Sequence, residues 1–224
     1  EATLSDSAGV KIASHSVGTA DIRDNGIIRL VVKDPDLWWP RGHGAQPLYT
    51  LTVQAKMYED FEPLSEWSGR IGLRTVKLNT DKDAVGSKFQ IEVNGKPIFC
   101  KGANWIPDDC FPHRVDEKRY RQRIQQAVDS NMNMLRIWGG GIFETETFYS
   151  ICDELGIMVW QDFLFACAAY PEEEPYRALV EAETRHHVSR LSWHHSLVLW
   201  NGCNENIWAY FDWGWKPKIG TRTW

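Results

Sequence analysis

One acidic side chain stands out by its setting. Glu205 follows the apolar run Ser196-Leu197-Val198-Leu199-Trp200 and sits between Asn204 and Asn206. A carboxyl group at the end of such a strand, among amides and indoles, is expected to lose part of its hydration. That favours the protonated form near neutral pH. A protonated Glu can donate to a leaving-group oxygen, and the neighbouring Asn204 can bind a sugar hydroxyl. The competing reading is a loop glutamate in water, because an isolated Asn-Glu pair is common.

Three other apolar runs end in similarly distinctive residues: Asn104-Trp105, Trp138 before Gly139-Gly140-Gly141, and Gln161-Asp162. In parallel α/β folds, functional groups gather at the C-terminal ends of strands, so four such ends imply one shared pocket. The glycine run lacks the lysine of a phosphate loop and the spacing of a dinucleotide loop. It is read as a sharp turn beside Trp138.

Other candidates are assigned structural roles. His186-His187 and His194-His195 lie within nine residues of each other, but paired histidines on a charged helix are read as surface groups. No metal or cofactor is expected. Glu172-Glu173-Glu174 reads as a solvated acidic turn before a helix starting at Pro175. Cys203 has no neighbouring base and is read as packing beneath its loop. The five cysteines are an odd number without Cys-x-x-Cys spacing, which suits thiols in a reducing compartment rather than disulfides.

Two kinds of element must position these groups. Residues 26–32, 48–55 and 71–78 are rich in Val, Ile, Thr and Tyr and are separated by Asp, Asn, Gly and Pro, which predicts short strands of a β-sandwich. Residues 89–98 predict a hairpin turning on Asn94-Gly95. Beyond Ile98, strands predicted at 98–103, 134–138, 157–160 and 196–200 alternate with helices at 116–130, 144–155 and 175–193. The last helix should turn Tyr176, Leu179, Val180, Val188 and Leu191 inward. Such alternation indicates βαβ units and a parallel sheet.

A net charge of −5 with mixed signs and no basic stripe gives no support for a nucleic-acid partner. No apolar stretch approaches the roughly 20 residues of a membrane span. Twelve tryptophans are available either as sugar-stacking faces or as core.

The segment Trp200-Asn201-Gly202-Cys203-Asn204-Glu205-Asn206 resembles the acid/base motif of glycoside hydrolase family 2. Lys101-Gly102-Ala103-Asn104-Trp105-Ile106-Pro107 and Leu135-Arg136-Ile137-Trp138-Gly139-Gly140-Gly141 are similar to the β-mannosidase branch. So are Trp160-Gln161-Asp162-Phe163 and Leu37-Trp38-Trp39-Pro40-Arg41-Gly42. The resemblance implies a multidomain fold of α and β elements: an immunoglobulin-like sandwich over residues 1–80, then a partial (β/α)₈ TIM barrel over 81–224. It implies a retaining exo-β-glycosidase acting on terminal β-D-mannose, with Glu205 as acid/base. Asn204, Trp138, Trp213 and Asp162 would be substrate-binding or supporting residues. The nucleophile is expected downstream of Trp224, and the chain is expected to be an internal, inactive fragment. The alternatives are an exo-glucosaminidase-like family 2 enzyme, or a non-catalytic carbohydrate-binding module with no need for a strand-end Asn-Glu.

Overall fold

The computed structural model describes residues 1–18, 27–57 and 62–219. It is a β-rich α/β fold with one antiparallel and one parallel four-stranded sheet and a small three-stranded sheet. The antiparallel sheet has the order β2-β1-β3-β4, with β1 at Ala2–Ser5, β2 at Lys11–His15, β3 at Tyr49–Ala55 and β4 at Ser65–Ile71. Ala2 and Leu4 alternate inward from β1, as a half-buried strand requires.

The strand predicted at 26–32 does not form in residues 27–32, and residue 26 lies outside the described residues. β3 is flanked by β1 and β4, the run joins neither outer strand of the sheet, and Val31 is 88% exposed. β1 and β2 were not predicted, because their short, Ser-, Thr- and Lys-containing sequences carry little apolar signal.

The strand predicted at 71–78 splits in two. β4 stops at Ile71 and β5 runs over Val76–Asn79. Between them Gly72 donates its N–H to His195 Nδ1 at 2.8 Å, and Arg74 reaches the carbonyls of His195 and Leu197 at 3.0 Å. A Cβ on Gly72 would meet the His195 ring at 2.6 Å, so only glycine allows this approach. β5 then pairs with β6 (Gln90–Val93), which turns through Asn94 and Gly95, both at positive φ, into β7 (Lys96–Pro97). This is the hairpin that the Asn-Gly pair predicts.

The parallel sheet has the order β11-β10-β9-β8, formed by Gly102–Trp105 (β8), Met134–Ile137 (β9), Met158–Asp162 (β10) and Leu197–Asn201 (β11). The connecting helices are α1 (Glu117–Asp129), α2 (Glu146–Leu155) and α3 (Tyr176–Leu191). Asp116 caps α1 by accepting the Arg119 N–H, and Gly156 ends α2 in the left-handed conformation. Two short helices that were not predicted follow, α4 (Asn206–Asp212) and α5 (Lys216–Ile219).

Strand parity decides which residues meet. Leu135, Ile137 and Val159 face the helices and pack with Ile124, Phe148 and Ile151. Met134 and Met158 face the opposite side, where Trp38, Ile91, Val93 and Ile98 cover them. Trp38 is fully buried, and its Nε1 donates to the Asp153 carbonyl at 2.9 Å. By the same period of two, Asn104, Arg136 and Asp162 share the Met134 face.

α3 departs from expectation. Of its predicted inward residues only Leu191 is buried, and Leu179 is 64% exposed. Tyr176 and Val180 line a surface groove instead of entering the core.

Candidate active site

The C-terminal ends of the four parallel strands are joined by one side chain that the sequence analysis did not single out. Arg136 on β9 forms a two-pronged pair with Asp162 on β10, Nε to Oδ1 at 3.1 Å and Nη2 to Oδ2 at 2.6 Å. Its Nη1 donates to Asn104 of β8 at 3.1 Å, and Nη2 also donates to Asn204 Oδ1 at 2.8 Å. A single guanidinium therefore ties together three strands and the loop after β11. The signal was available in the sequence. An Arg in the apolar strand Met134-Leu135-Arg136-Ile137 must find a partner for its charge once the strand is buried.

Asp162 is 0% exposed and has no free oxygen to offer a ligand. Besides Arg136, it accepts from Gly139 N, Trp160 Nε1 and Asn201 Nδ2 at 2.9–3.1 Å. Asp162 was named among the substrate-binding or supporting residues, and in the structure it holds Arg136 and Asn201 in place. A register irregularity in the β10–β11 pairing helps set this up: Val159 pairs with Leu197 but Trp160 with Leu199. Skipping Val198 flips the parity of β11, so that Asn201 turns towards Asp162.

Asn204 is buried, and its orientation follows from its bonds. Arg136 requires Oδ1 on its side, which leaves Nδ2 to donate to Glu205 Oε2 at 3.2 Å. The Asn204 backbone N–H is held by the Phe165 carbonyl at 2.7 Å, which joins the loops after β10 and β11. Glu205 itself takes φ 63° and ψ 0°, a left-handed conformation rare outside glycine and asparagine, and α4 begins immediately after it. The partial desolvation expected of Glu205 is not found. Its side chain is exposed, because it stands at the open rim beyond the strand ends.

Trp138 follows β9, anchored by its N–H to the Trp105 carbonyl at 3.1 Å, and Gly141 turns back to the Trp138 carbonyl at 2.9 Å. Gly140 lies directly under the indole. A Cβ there would sit 2.1 Å from the ring, so the glycine run is the expected sharp turn, shaped around Trp138. Trp105 is buried and serves the fold, donating Nε1 to Glu144 Oε1 at 2.8 Å while Tyr120 donates to the other oxygen. Burial first, then Glu144, pushes the Tyr120 hydroxyl above its ordinary range.

Trp213 stands apart from this network. It caps the far end of α4 at 48% exposure, its ring 5.9 Å from Trp208 and 6.4 Å from Trp215. Eight residues of helical rise place it about 12 Å along the axis from Glu205. The structure therefore brings Asn204, Glu205 and Asp162 together around Arg136 and does not join Trp213 to them.

The paired histidines are not all surface groups. His194 is fully buried, with Nδ1 at 2.6 Å from Asp153 Oδ2 and Nε2 at 2.9 Å from Glu146 Oε2. His195 is buried against Trp38, and burial lowers its pKa to about 4 despite the opposing pull of Asp153. His187 stacks on Phe143 at 3.9 Å. Among the described residues, no group of three or more His, Cys, Asp or Glu is placed to hold a metal ion. No helix among them is long and apolar enough to cross a membrane. Glu172, read as part of a solvated turn, is half-buried and has one oxygen shut away from water.

Residues 1–74, which include the motif at 37–42, match the family Glycosyl hydrolases family 2, and together with the relatives below this bears out the resemblance. Within that family the similarity is to β-mannosidases. The chain is 47% identical over 173 residues to the β-mannosidase of Capra hircus, covering 76% of this chain and 20% of that protein. The crystal structure of a β-D-mannosidase from Dictyoglomus thermophilum superposes with a TM-score of 0.79 at 39% identity, over 93% of this chain and 26% of that one. An exo-chitosanase from Amycolatopsis orientalis superposes with a TM-score of 0.67 at 25% identity, over 77% of this chain and 20% of that one. The chain thus spans about a fifth of the length of the curated relatives it matches.

Proposed function

We propose that this chain carries the acid/base side of a retaining exo-β-mannosidase site, the activity belonging to a protein of its relatives' length. The observation that carries the reading is the orientation of Asn204. Arg136 fixes its carbonyl oxygen, so its amide N–H faces the Glu205 carboxylate at the strand ends. Glu205 is the general acid that protonates the leaving oxygen and later the base that activates water. Asn204 presents an N–H to the sugar, and Trp138 supplies an apolar wall. Trp213 stands at the far end of α4.

Retention requires a second carboxyl group about 5–5.5 Å from the first. Asp162 does not suit that role, since both its oxygens are engaged. In fold terms, we assign the four parallel strands with their helices to the first half of a (β/α)₈ barrel, and the antiparallel sheet to an immunoglobulin-like sandwich. A boundary at residue 80 would cut the β5–β6 pairing. We therefore place it at residues 72–75, where β4 ends and contacts to His195 begin.

The test is Glu205→Gln in an enzyme of the relatives' length, assayed on nitrophenyl β-mannoside. Loss of turnover by about 10²–10⁴-fold is expected, with partial recovery when azide is added as an anionic nucleophile. An unchanged rate removes Glu205 from the chemistry. Similarity to the exo-chitosanase supports a second reading, an aminoglucoside substrate. Parallel assay on nitrophenyl β-glucosaminide separates the two.

A further inference from the structure

The loop that carries Asn204 and Glu205 leaves β11 at Asn201, and one peptide unit in it is held from both sides. The Cys203 carbonyl accepts from Asn201 Nδ2 at 2.7 Å. The Asn204 N–H on the same peptide donates to the Phe165 carbonyl at 2.7 Å. With its oxygen and its hydrogen both engaged, this planar unit resists rotation. Its orientation sets the directions in which the Asn204 side chain and the left-handed Glu205 leave it.

Asn201 can act in this way because each of its two amide hydrogens has its own acceptor, Asp162 Oδ1 at 2.9 Å and the Cys203 carbonyl at 2.7 Å. A carboxylate and a carbonyl only accept, so the amide has one orientation and an aspartate could not replace it. Asp162 does not depend on Asn201 for neutralisation. Its Oδ1 also accepts from Arg136 Nε and Trp160 Nε1, each at 3.1 Å, and its Oδ2 accepts from Arg136 and Gly139. What Asn201 adds is the second bond, to the loop.

We propose that Asn201 is a positioning residue for proton transfer by Glu205, an assignment that rests on Glu205 being the acid/base. Asp162 fixes the Asn201 amide, Asn201 fixes the Cys203–Asn204 peptide, and that peptide aims both Asn204 and Glu205. This arm works on the backbone, beside the side-chain arm that runs from Arg136 to Asn204 Oδ1. An exposed acid needs such bracing, because a displacement of about 1 Å at the reacting atoms can cost about 10²-fold in rate. The consequence is selective. A sugar leaving group departs only with the Glu205 proton on its oxygen, whereas dinitrophenolate departs as an anion without one. Misplacing the acid therefore slows the first reaction and spares the second.

The readout, in an enzyme of the relatives' length, is the ratio of kcat/KM for dinitrophenyl β-mannoside to that for β-mannobiose (or for the corresponding glucosaminides, should those be the substrates). Glu205→Gln should raise this ratio by about 10²-fold or more. Asn201→Ala should raise it about tenfold, the effect of one lost hydrogen bond. Asn201→Ser, which keeps one donor, should raise it less, and it serves in place of the alanine variant if that one folds poorly. Trp160→Phe is the control. It removes a donor from the same Asp162 oxygen and leaves the Cys203 carbonyl held, so both rates should fall by the same factor. An unchanged ratio in the Asn201 variants, with the ratio raised in Glu205→Gln, overturns the assignment and leaves the acid/base reading standing. An equal rise in Trp160→Phe also overturns it, by routing the effect through Asp162. An unchanged ratio in Glu205→Gln overturns the acid/base reading and the assignment with it.

Discussion

The parallel sheet buries an aspartate near each of its ends, and the two are handled differently. Asp162, at the C-terminal end, is neutralised by Arg136 and reaches outward through Asn204 to the exposed Glu205. Asp153 ends α2 on the other side, where β11 begins. It binds His194 and the Ser196 N–H, and its carbonyl accepts from Trp38. Beside it, His195 and Arg74 join the parallel sheet to the chain leaving β4. Around Asp162 the bonds orient groups that remain open at the rim. Around Asp153 they close on one another inside the molecule. In barrel-like α/β sheets, chemistry gathers at the C-terminal ends of strands and stability at the N-terminal ends, and these two clusters follow that division.

The sharpest way to break the contrast is to remove the charge at the outward-facing cluster. Arg136→Leu leaves Asp162 buried without its counter-ion and should cost about 3–5 kcal/mol of stability, measured by urea unfolding of the chain. A smaller loss would mean that Asn201, Trp160 and Gly139 neutralise Asp162 without the guanidinium.

Acid should act next, and at the other cluster. His195 titrates at about 4 in the fold because burial disfavours its charged form, against about 6.5 when unfolded. The unfolded chain therefore takes up the proton first as pH falls. The contribution of neutral His195 is complete above about pH 6.5 and fades towards pH 4, by on the order of 3 kcal/mol. Asp153, Arg74 and His194 all face this ring, so the comparison should be made against His195→Asn. That variant should show a flatter dependence of unfolding midpoint on pH over the same window. A parallel dependence would assign the acid sensitivity elsewhere.

Gly140→Ala should have a smaller effect, confined to the rim. The new methyl group collides with the Trp138 ring, and displacing that ring should cost about 1–3 kcal/mol. Near-ultraviolet circular dichroism should change while the helical signal stays constant. Smallest of all, Glu205→Gln should shift stability by no more than about 0.5 kcal/mol, because the side chain is exposed. A larger shift would mean that Glu205 is a structural member of the Arg136 network.

Much of the parallel sheet was legible because helix signals are local and redundant. Asp116 and Gly156 cap α1 and α2 where a sequence reading puts them, and the apolar spacing between them has one interpretation. The antiparallel region was less legible, since which strands pair is a tertiary fact. The run at 26–32 carries strand-like residues, yet β1 and β4 occupy both sides of β3. Glu205 and Asn204 were visible from their local motif. Arg136 was not, since its role appears only when β8, β9, β10 and the loop after β11 come together. Asp162 was visible at its strand end, but a sequence locates such a carboxylate without counting the donors already bound to it. The buried His194 escaped for the same reason: its partners Asp153 and Glu146 lie more than forty residues away.

The left-handed backbone at Glu205 bears on how such a sequence would change if its chemistry were no longer needed. A residue with a Cβ is disfavoured there by about 1–2 kcal/mol, and glycine escapes that penalty. Glu205→Gly should therefore be tolerated or stabilising, the more so because the side chain makes no packed contact that folding requires. A library selected only for thermal survival would drift to glycine or asparagine at this turn, and one selected for turnover would restore glutamate. Position 205 would then record which of the two pressures a sequence has been under.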